Sequence, residues 1–115
     1  MNEICTFRQA TRTDVPLILR FIRDLARYEQ LEHEVVATPV LLEEWLFDKE
    51  KAEVLFAVVE GKEVGFALFF HNFSTFLGRA GIYLEDLYVA PAYRGRGIGR
   101  AFFHELAKIA AERGC

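Results

Sequence analysis

Leu84-Glu85-Asp86-Leu87-Tyr88-Val89-Ala90-Pro91-Ala92-Tyr93-Arg94-Gly95-Arg96-Gly97-Ile98-Gly99-Arg100 is the stretch whose reading decides the fold. An apolar and aromatic run closes at Val89. A Pro-containing link follows, and glycines then alternate with arginines before an amphipathic segment begins. This predicts a strand, a tight loop and a helix N-terminus, in that order. A helix N-terminus presents amides without intrahelical partners and a partial positive charge. Glycines let the backbone close on an anion, so that several N–H groups converge on it. Arg94, Arg96 and Arg100 add charge around the same point. The combination predicts a site for a phosphate or a diphosphate.

Two other glycine loops do not fit. The P-loop ends in Gly-Lys-Ser/Thr, which is absent here. The dinucleotide fingerprint G-x-G-x-x-G fails because position 100 is Arg, and that fold puts its glycines after the first strand.

Upstream, Gly81 to Val89 reads as a strand with Ile82, Leu84, Leu87 and Val89 among its apolar members. Val54 to Glu60 and Val64 to Phe73 read as an antiparallel hairpin turning at Glu60-Gly61-Lys62-Glu63. Asn72 to Gly78 reads as a connection. Near the start, Ile4 to Arg8 is a short strand. Thr13-Asp14 then opens a helix with Thr13 as cap and Pro16 in its first turn. Val15, Ile18, Leu19, Ile22, Leu25 and Ala26 give that helix one apolar face, and it ends near Tyr28-Glu29. Thr38-Pro39 starts a second helix with Leu41, Leu42, Trp45 and Leu46 as its apolar face. Downstream of the glycines a helix runs to about Arg113. Its stripe is Ile98, Phe102, Leu106, Ile109 and Ala110, and Gly114 stops it. The expected order is β-α-α-β-β-β-α.

The 115 residues amount to one domain, expected to span 1–115. Hydrophobic residues at 52% and charged ones at 27% describe a packed globular chain. A net charge of −3 argues against general nucleic-acid binding, which needs a basic face. No apolar run approaches the roughly 18 residues of a membrane span. Met1-Asn2-Glu3-Ile4-Cys5 lacks the pattern of a secretion signal, so the cytoplasm is expected. Cys5 and Cys115 sit in no zinc or nucleophile pattern, and reduced thiols are expected. His33, His71 and His104 have no partner pattern and are expected at the surface. Glu29, Glu32, Glu34, Glu43 and Glu44 read either as an acidic mouth for a cation or as solvated helix surface.

The quoted stretch resembles the acetyl-CoA-binding motif of the GNAT superfamily of N-acetyltransferases, in which Q/R-x-x-G-x-G/A follows a V-x-P-x-x-R-G-x-G approach. The resemblance extends to Phe7-Arg8-Gln9-Ala10-Thr11 with Asp14, to Ile22 through Glu29, to Val64 through Phe70 and to Tyr83 through Val89. Those segments resemble the diamine (spermidine/spermine) and thialysine acetyltransferase branch, over nearly the whole chain. The resemblance implies an α/β (α+β) fold with a mixed, mainly antiparallel sheet flanked by helices. It implies that Leu87, Tyr88 and Val89 pair with the pantetheine arm of acetyl-CoA. The loop Arg94, Gly95, Arg96, Gly97, Ile98, Gly99 and Arg100 would hold its diphosphate.

The same resemblance makes Glu85 the catalytic carboxylate and a contact for the substrate. A carboxylate there can take the amine's proton through water, because an ammonium has no lone pair. A structural ion pair is the other reading of Glu85. Asp86 would point to the opposite face of a regular strand unless a bulge intervenes. Tyr28 and Glu29 would touch a polyamine. No metal is implied, and attack by a primary amine on acetyl-CoA would be direct.

Family members continue into a fifth strand, a further helix whose Tyr protonates the leaving thiolate, and last strands. The 115 residues contain none of these, so no general acid can be named and weak unaided turnover is expected. An open fourth-strand edge then predicts a homodimer formed through it. A CoA-binding fragment without catalysis and an oligomerising fragment are the alternatives.

Overall fold

The computed structural model describes residues 4–115; the start Met1-Asn2-Glu3 lies outside them. The regular elements are β1 (Thr6–Gln9), α1 (Val15–Tyr28), α2 (Pro39–Leu42), β2 (Glu53–Val59), β3 (Lys62–Ser74), β4 (Arg79–Val89) and α3 (Ile98–Glu112). This is the expected order. The sheet runs β1-β2-β3-β4, and each of its three ladders is antiparallel. No helix among the described residues is long and apolar enough to cross a membrane.

Alternation along the strands splits the core into two layers. On one side of the sheet, Leu55, Ala57, Ala67 and Phe69 pack with Ile98, Phe102, Leu106 and Ile109 of α3. On the other, Val54, Phe56, Phe66 and Tyr88 pack with Ile18 and Phe21 of α1. Phe21 is outside the stripe expected for α1, yet it is the centre of that layer. Its ring lies 5.5 Å from Phe66, 6.0 Å from Phe56 and 6.2 Å from Tyr88. Gly65 lets β3 and β4 close up. A Cβ there would stand 2.6 Å from the Tyr88 carbonyl oxygen and 3.4 Å from the Phe102 ring.

Several boundaries move for identifiable reasons. The first strand is Thr6–Gln9 and not Ile4 to Arg8. The cap of the first helix is not Thr13. Thr11 opens a 3-10 turn, Arg12–Asp14, and its backbone N and Oγ1 both donate to Asp14 Oδ2, at 2.7 and 3.1 Å. Asp14 also takes two bonds from the Arg8 guanidinium, at 2.8 and 2.9 Å, which tie the start of α1 to β1.

The second helix begins at Pro39 as expected, with Thr38 Oγ1 accepting from Leu41 N. It then widens into a π-helical segment, Glu43–Asp48. Within that segment Leu46 is buried and Trp45 is 47% exposed, while Leu41, in the α-helical turn before it, is 42% exposed, so the expected apolar face is only partly covered. The hairpin turn is tighter than four residues: Val59 pairs with Lys62, and Glu60 and Gly61 both have positive φ. β3 and β4 extend to Ser74 and Arg79, so much of the expected connection is strand. Gly114, at φ 73°, closes α3; Gly114 N bonds Ala111 O and Cys115 N bonds Ala110 O.

Candidate active site

The site follows from an irregularity in β4. Leu68 pairs with Asp86, but Phe69 pairs with Leu84, so Glu85 is an extra residue in the ladder. The packing shows the same shift of phase. Ile82, Leu84, Leu87 and Val89 all pack on the α3 layer, and only an inserted residue lets positions 84 and 87 share a face. Tyr88 is on the α1 side. Glu85 and Asp86 therefore both stand on that side too. The signal was in the sequence, since the apolar positions change from even to odd numbers between Leu84 and Leu87.

Asp86 is the less exposed carboxyl of this pair. Partial burial pushes its pKa above the usual aspartate value, and the negative charges of Glu85 and Glu29 push in the same direction. Glu29 thus belongs to the same electrostatic neighbourhood, although it comes from the C-terminal end of α1.

At the end of β4 the chain makes a 3-10 turn, Pro91–Tyr93, and then the glycine loop. Gly95 and Gly97 have φ values of 77° and 85°, a region that side-chain-bearing residues rarely enter. Gly97 is the residue that caps α3. The first bond of that helix runs from Ala101 N to Gly97 O, so the amides of residues 98–100 precede the ladder. Gly99 has ordinary φ, and a Cβ built on it meets nothing within 4 Å. Its missing side chain leaves open space in front of the helix start, which is what an anion cradle requires.

These elements enclose a cleft of about 390 Å³. α1 supplies Leu25, Tyr28 and Glu29; β4 supplies Leu87, Tyr88 and Val89; the loop supplies Tyr93, Arg94, Gly95 and residues 97–99. Most of the expected site residues thus meet in one place. Glu85 lies one bulge back along β4, outside the lining. Arg96 is outside the lining, its guanidinium 5.1 Å from the ring of Tyr93, and Arg100 is exposed and also outside it. Leu25 and Tyr93 belong to the cleft without having been singled out for it, because nothing in their spacing marks them.

Of the five acidic residues weighed as a mouth, only Glu29 lines the cleft. Arg12 takes Glu43, Lys49 takes Glu44 and Arg27 takes Glu32. The three histidines are exposed.

A profile of the acetyltransferase (GNAT) family matches residues 18–115. The chain belongs to that family. It is 38% identical over 117 residues to the thialysine N-epsilon-acetyltransferase of Mus musculus, covering 94% of this chain and 68% of that protein. It is 34% identical to the spermidine/spermine N(1)-acetyltransferase-like protein 1 of Homo sapiens, covering 94% of this chain and 16% of that one. Among solved structures, a predicted acetyltransferase of Clostridium acetobutylicum crystallised with acetyl-CoA superposes with a TM-score of 0.78. That match has 18% identity and covers 96% of this chain and 75% of the other. The GNAT chain is therefore an N-acetyltransferase of the thialysine and diamine branch.

Proposed function

We propose that this protein, acting as one domain, transfers an acetyl group from acetyl-CoA to a primary amine of a small polyamine or lysine-like substrate. The transfer proceeds by direct attack, with no acetyl group passing through the enzyme. The observation that carries this reading is the single cleft shared by the glycine loop and Glu29. A cradle for an anion and a carboxylate for a cation open on the same space, as transfer between a diphosphate-bearing donor and an amine requires.

The residues divide the work. The amides of residues 98–100 and the loop from Arg94 to Gly97 bind the diphosphate, and the Gly99 gap makes room for it. The backbone of Leu87, Tyr88 and Val89 orients the arm. Acetyl-CoA, when bound, supplies an acetyl group activated as a thioester. Tyr28 and Glu29 receive the amine, whose positive charge suits both a carboxylate and an aromatic face. Glu85 takes the amine's proton through water, which frees the nitrogen lone pair. Asp86, on the same side of β4, adds negative charge that draws the cation toward Glu85.

Among the described residues β4 is an edge strand, and beside it lies an apolar groove of about 310 Å³ lined by Ile82, Leu84, Phe103 and Leu106 among others. An antiparallel edge is self-complementary under twofold symmetry. We propose on that ground a homodimer paired through β4, in the cytoplasm. A monomeric mass by light scattering at micromolar concentration removes the dimer from the proposal.

The cofactor reading is tested by calorimetry. CoA should release heat on mixing and raise the melting temperature, while absence of both overturns the reading. Turnover is tested with acetyl-CoA and either spermidine or thialysine. CoA binding without any acetylated product would assign the chain to cofactor binding alone.

A further inference from the structure

The guanidinium of Arg94 lies inside the cleft and is held there by three contacts. Its Nε donates to the Val89 carbonyl at 2.8 Å. Its central carbon stands 4.3 Å from the centre of the Tyr28 ring and 5.3 Å from that of Tyr88. One ring belongs to the end of α1 and the other to β4. A single cation therefore bridges the wall of the cleft to its floor. Aromatic faces within about 6 Å attract guanidinium and alkylammonium groups alike. The chain itself supplies an occupant that marks this as a cation slot.

Two of these contacts use groups that the proposed reaction needs. The Val89 carbonyl lies in the segment assigned to the cofactor arm, and the Tyr28 ring is assigned to the amine. Arg94 in this pose blocks both. It is also the first residue of the glycine loop, three residues from Gly97, within a long side chain's reach of a diphosphate bound there. A guanidinium–phosphate contact is charge-assisted and bidentate, and so stronger than one neutral carbonyl and two ring faces.

We propose that Arg94 is an internal cation that fills the Tyr28–Tyr88 slot until the cofactor's diphosphate draws it away, and that the freed Tyr28 face then takes a cationic group of the amine. This rests on the acetyl-CoA reading given above. It couples the two substrates, since each helps to displace the same side chain for the other, and such coupling is reciprocal. Arg94 is exposed, so the contact is of the weaker, hydrated kind, and its release should change affinity about threefold or somewhat more.

The experiment is calorimetry on the 115-residue protein in 150 mM salt (about physiological ionic strength), with CoA and spermidine as probes. Spermidine should bind about threefold tighter when CoA is saturating. In Arg94→Gln the charge is gone. Spermidine should then bind equally well with and without CoA, at the tighter level. Arg94→Lys keeps a cation and should keep the coupling. Coupling that is unchanged in Arg94→Gln, or missing from the parent chain, overturns the inference and leaves the cofactor reading standing if CoA itself gives heat. No CoA heat at all overturns both. A second readout needs no substitution: the ¹⁵N-labelled Nε–H signal of Arg94 should shift on addition of CoA. A signal that stays where it was while CoA binds refutes the displacement.

Discussion

Glu85 and Asp86 are adjacent in sequence and yet stand on the same side of β4. The extra residue in the ladder opposite Leu68 and Phe69 makes this possible. Two carboxylates side by side face the layer that also carries Glu29, and Asp86 is held partly out of water among them. This pairing organises the predictions about chemistry.

Replacing Glu85 by Gln keeps the shape and removes the base. Transfer to spermidine should fall by about 100-fold or more, in line with the usual effect of losing a general base. CoA affinity, read by calorimetry, should stay within about twofold. A variant that turns over at the parent rate and with the parent pH profile assigns the proton to another group.

Asp86→Asn should act in opposite directions on stability and on substrate. An acid whose pKa is raised by folding binds more protons folded than unfolded, so its contribution to stability declines as pH rises through the usual aspartate range. At pH 7 its charge is a burden. The Asn variant should therefore melt higher than the parent at pH 7, with the gap closing toward pH 3, while its affinity for spermidine drops. A lower melting temperature at pH 7 contradicts this account.

Gly97 and Gly99 should separate backbone strain from ligand space. Gly97→Ala puts a side chain at φ 85°, with its Cβ 3.1 Å from Ile4 Cδ1, and should cost about 1–2 kcal/mol in stability. Gly99→Ala meets no protein atom within 4 Å and should leave stability level or raise it by about 0.5–1 kcal/mol. Both should bind CoA poorly. Denaturant unfolding and CoA calorimetry on the two variants decide the matter. Undiminished CoA binding by Gly99→Ala sinks the assignment of that gap.

The Arg8–Asp14 pair should make the start of α1 sensitive to acid. The bidentate guanidinium, with Thr11, lowers the Asp14 pKa to about 2 from an ordinary 3.8. A carboxyl lowered in the fold stabilises fully above the unfolded value, and that share is lost as pH falls from about 4 through 2. Arg8 remains partly open to water, so the pair contributes about 1 kcal/mol once screening is allowed for. Asp14→Asn should lower stability by that amount at pH 7 and by almost nothing at pH 2, measured by urea unfolding.

Much of this architecture can be read from sequence, and the failures have physical causes. Periodicity finds α1, the hairpin and α3, because burial on one face imposes it. The stripe named for α1 omits Phe21, although it stands three residues after Ile18 and four before Leu25, beneath the rings of Phe56, Phe66 and Tyr88. Periodicity misplaces Leu41 and Trp45, which stand exposed while Leu46 of the same expected face is buried. The glycine loop is legible because positive φ demands glycine at positions 95 and 97. Arg94 is legible as a charge, but its placement on Tyr28 needs the packing of α1 against β4.

The meander of β2, β3 and β4 has a kinetic meaning. Its strands follow one another through short turns, so their pairing closes small loops and is expected to form early. β1 must wait for its partner β2, which lies more than forty residues along the chain. The strand that carries Glu85 and Val89 would then be assembled before α1 delivers Tyr28 and Glu29. Pulse-labelled hydrogen exchange during refolding should show amides of 53–89 protected ahead of those of 15–28. Simultaneous protection would mean that the two walls of the cleft condense together.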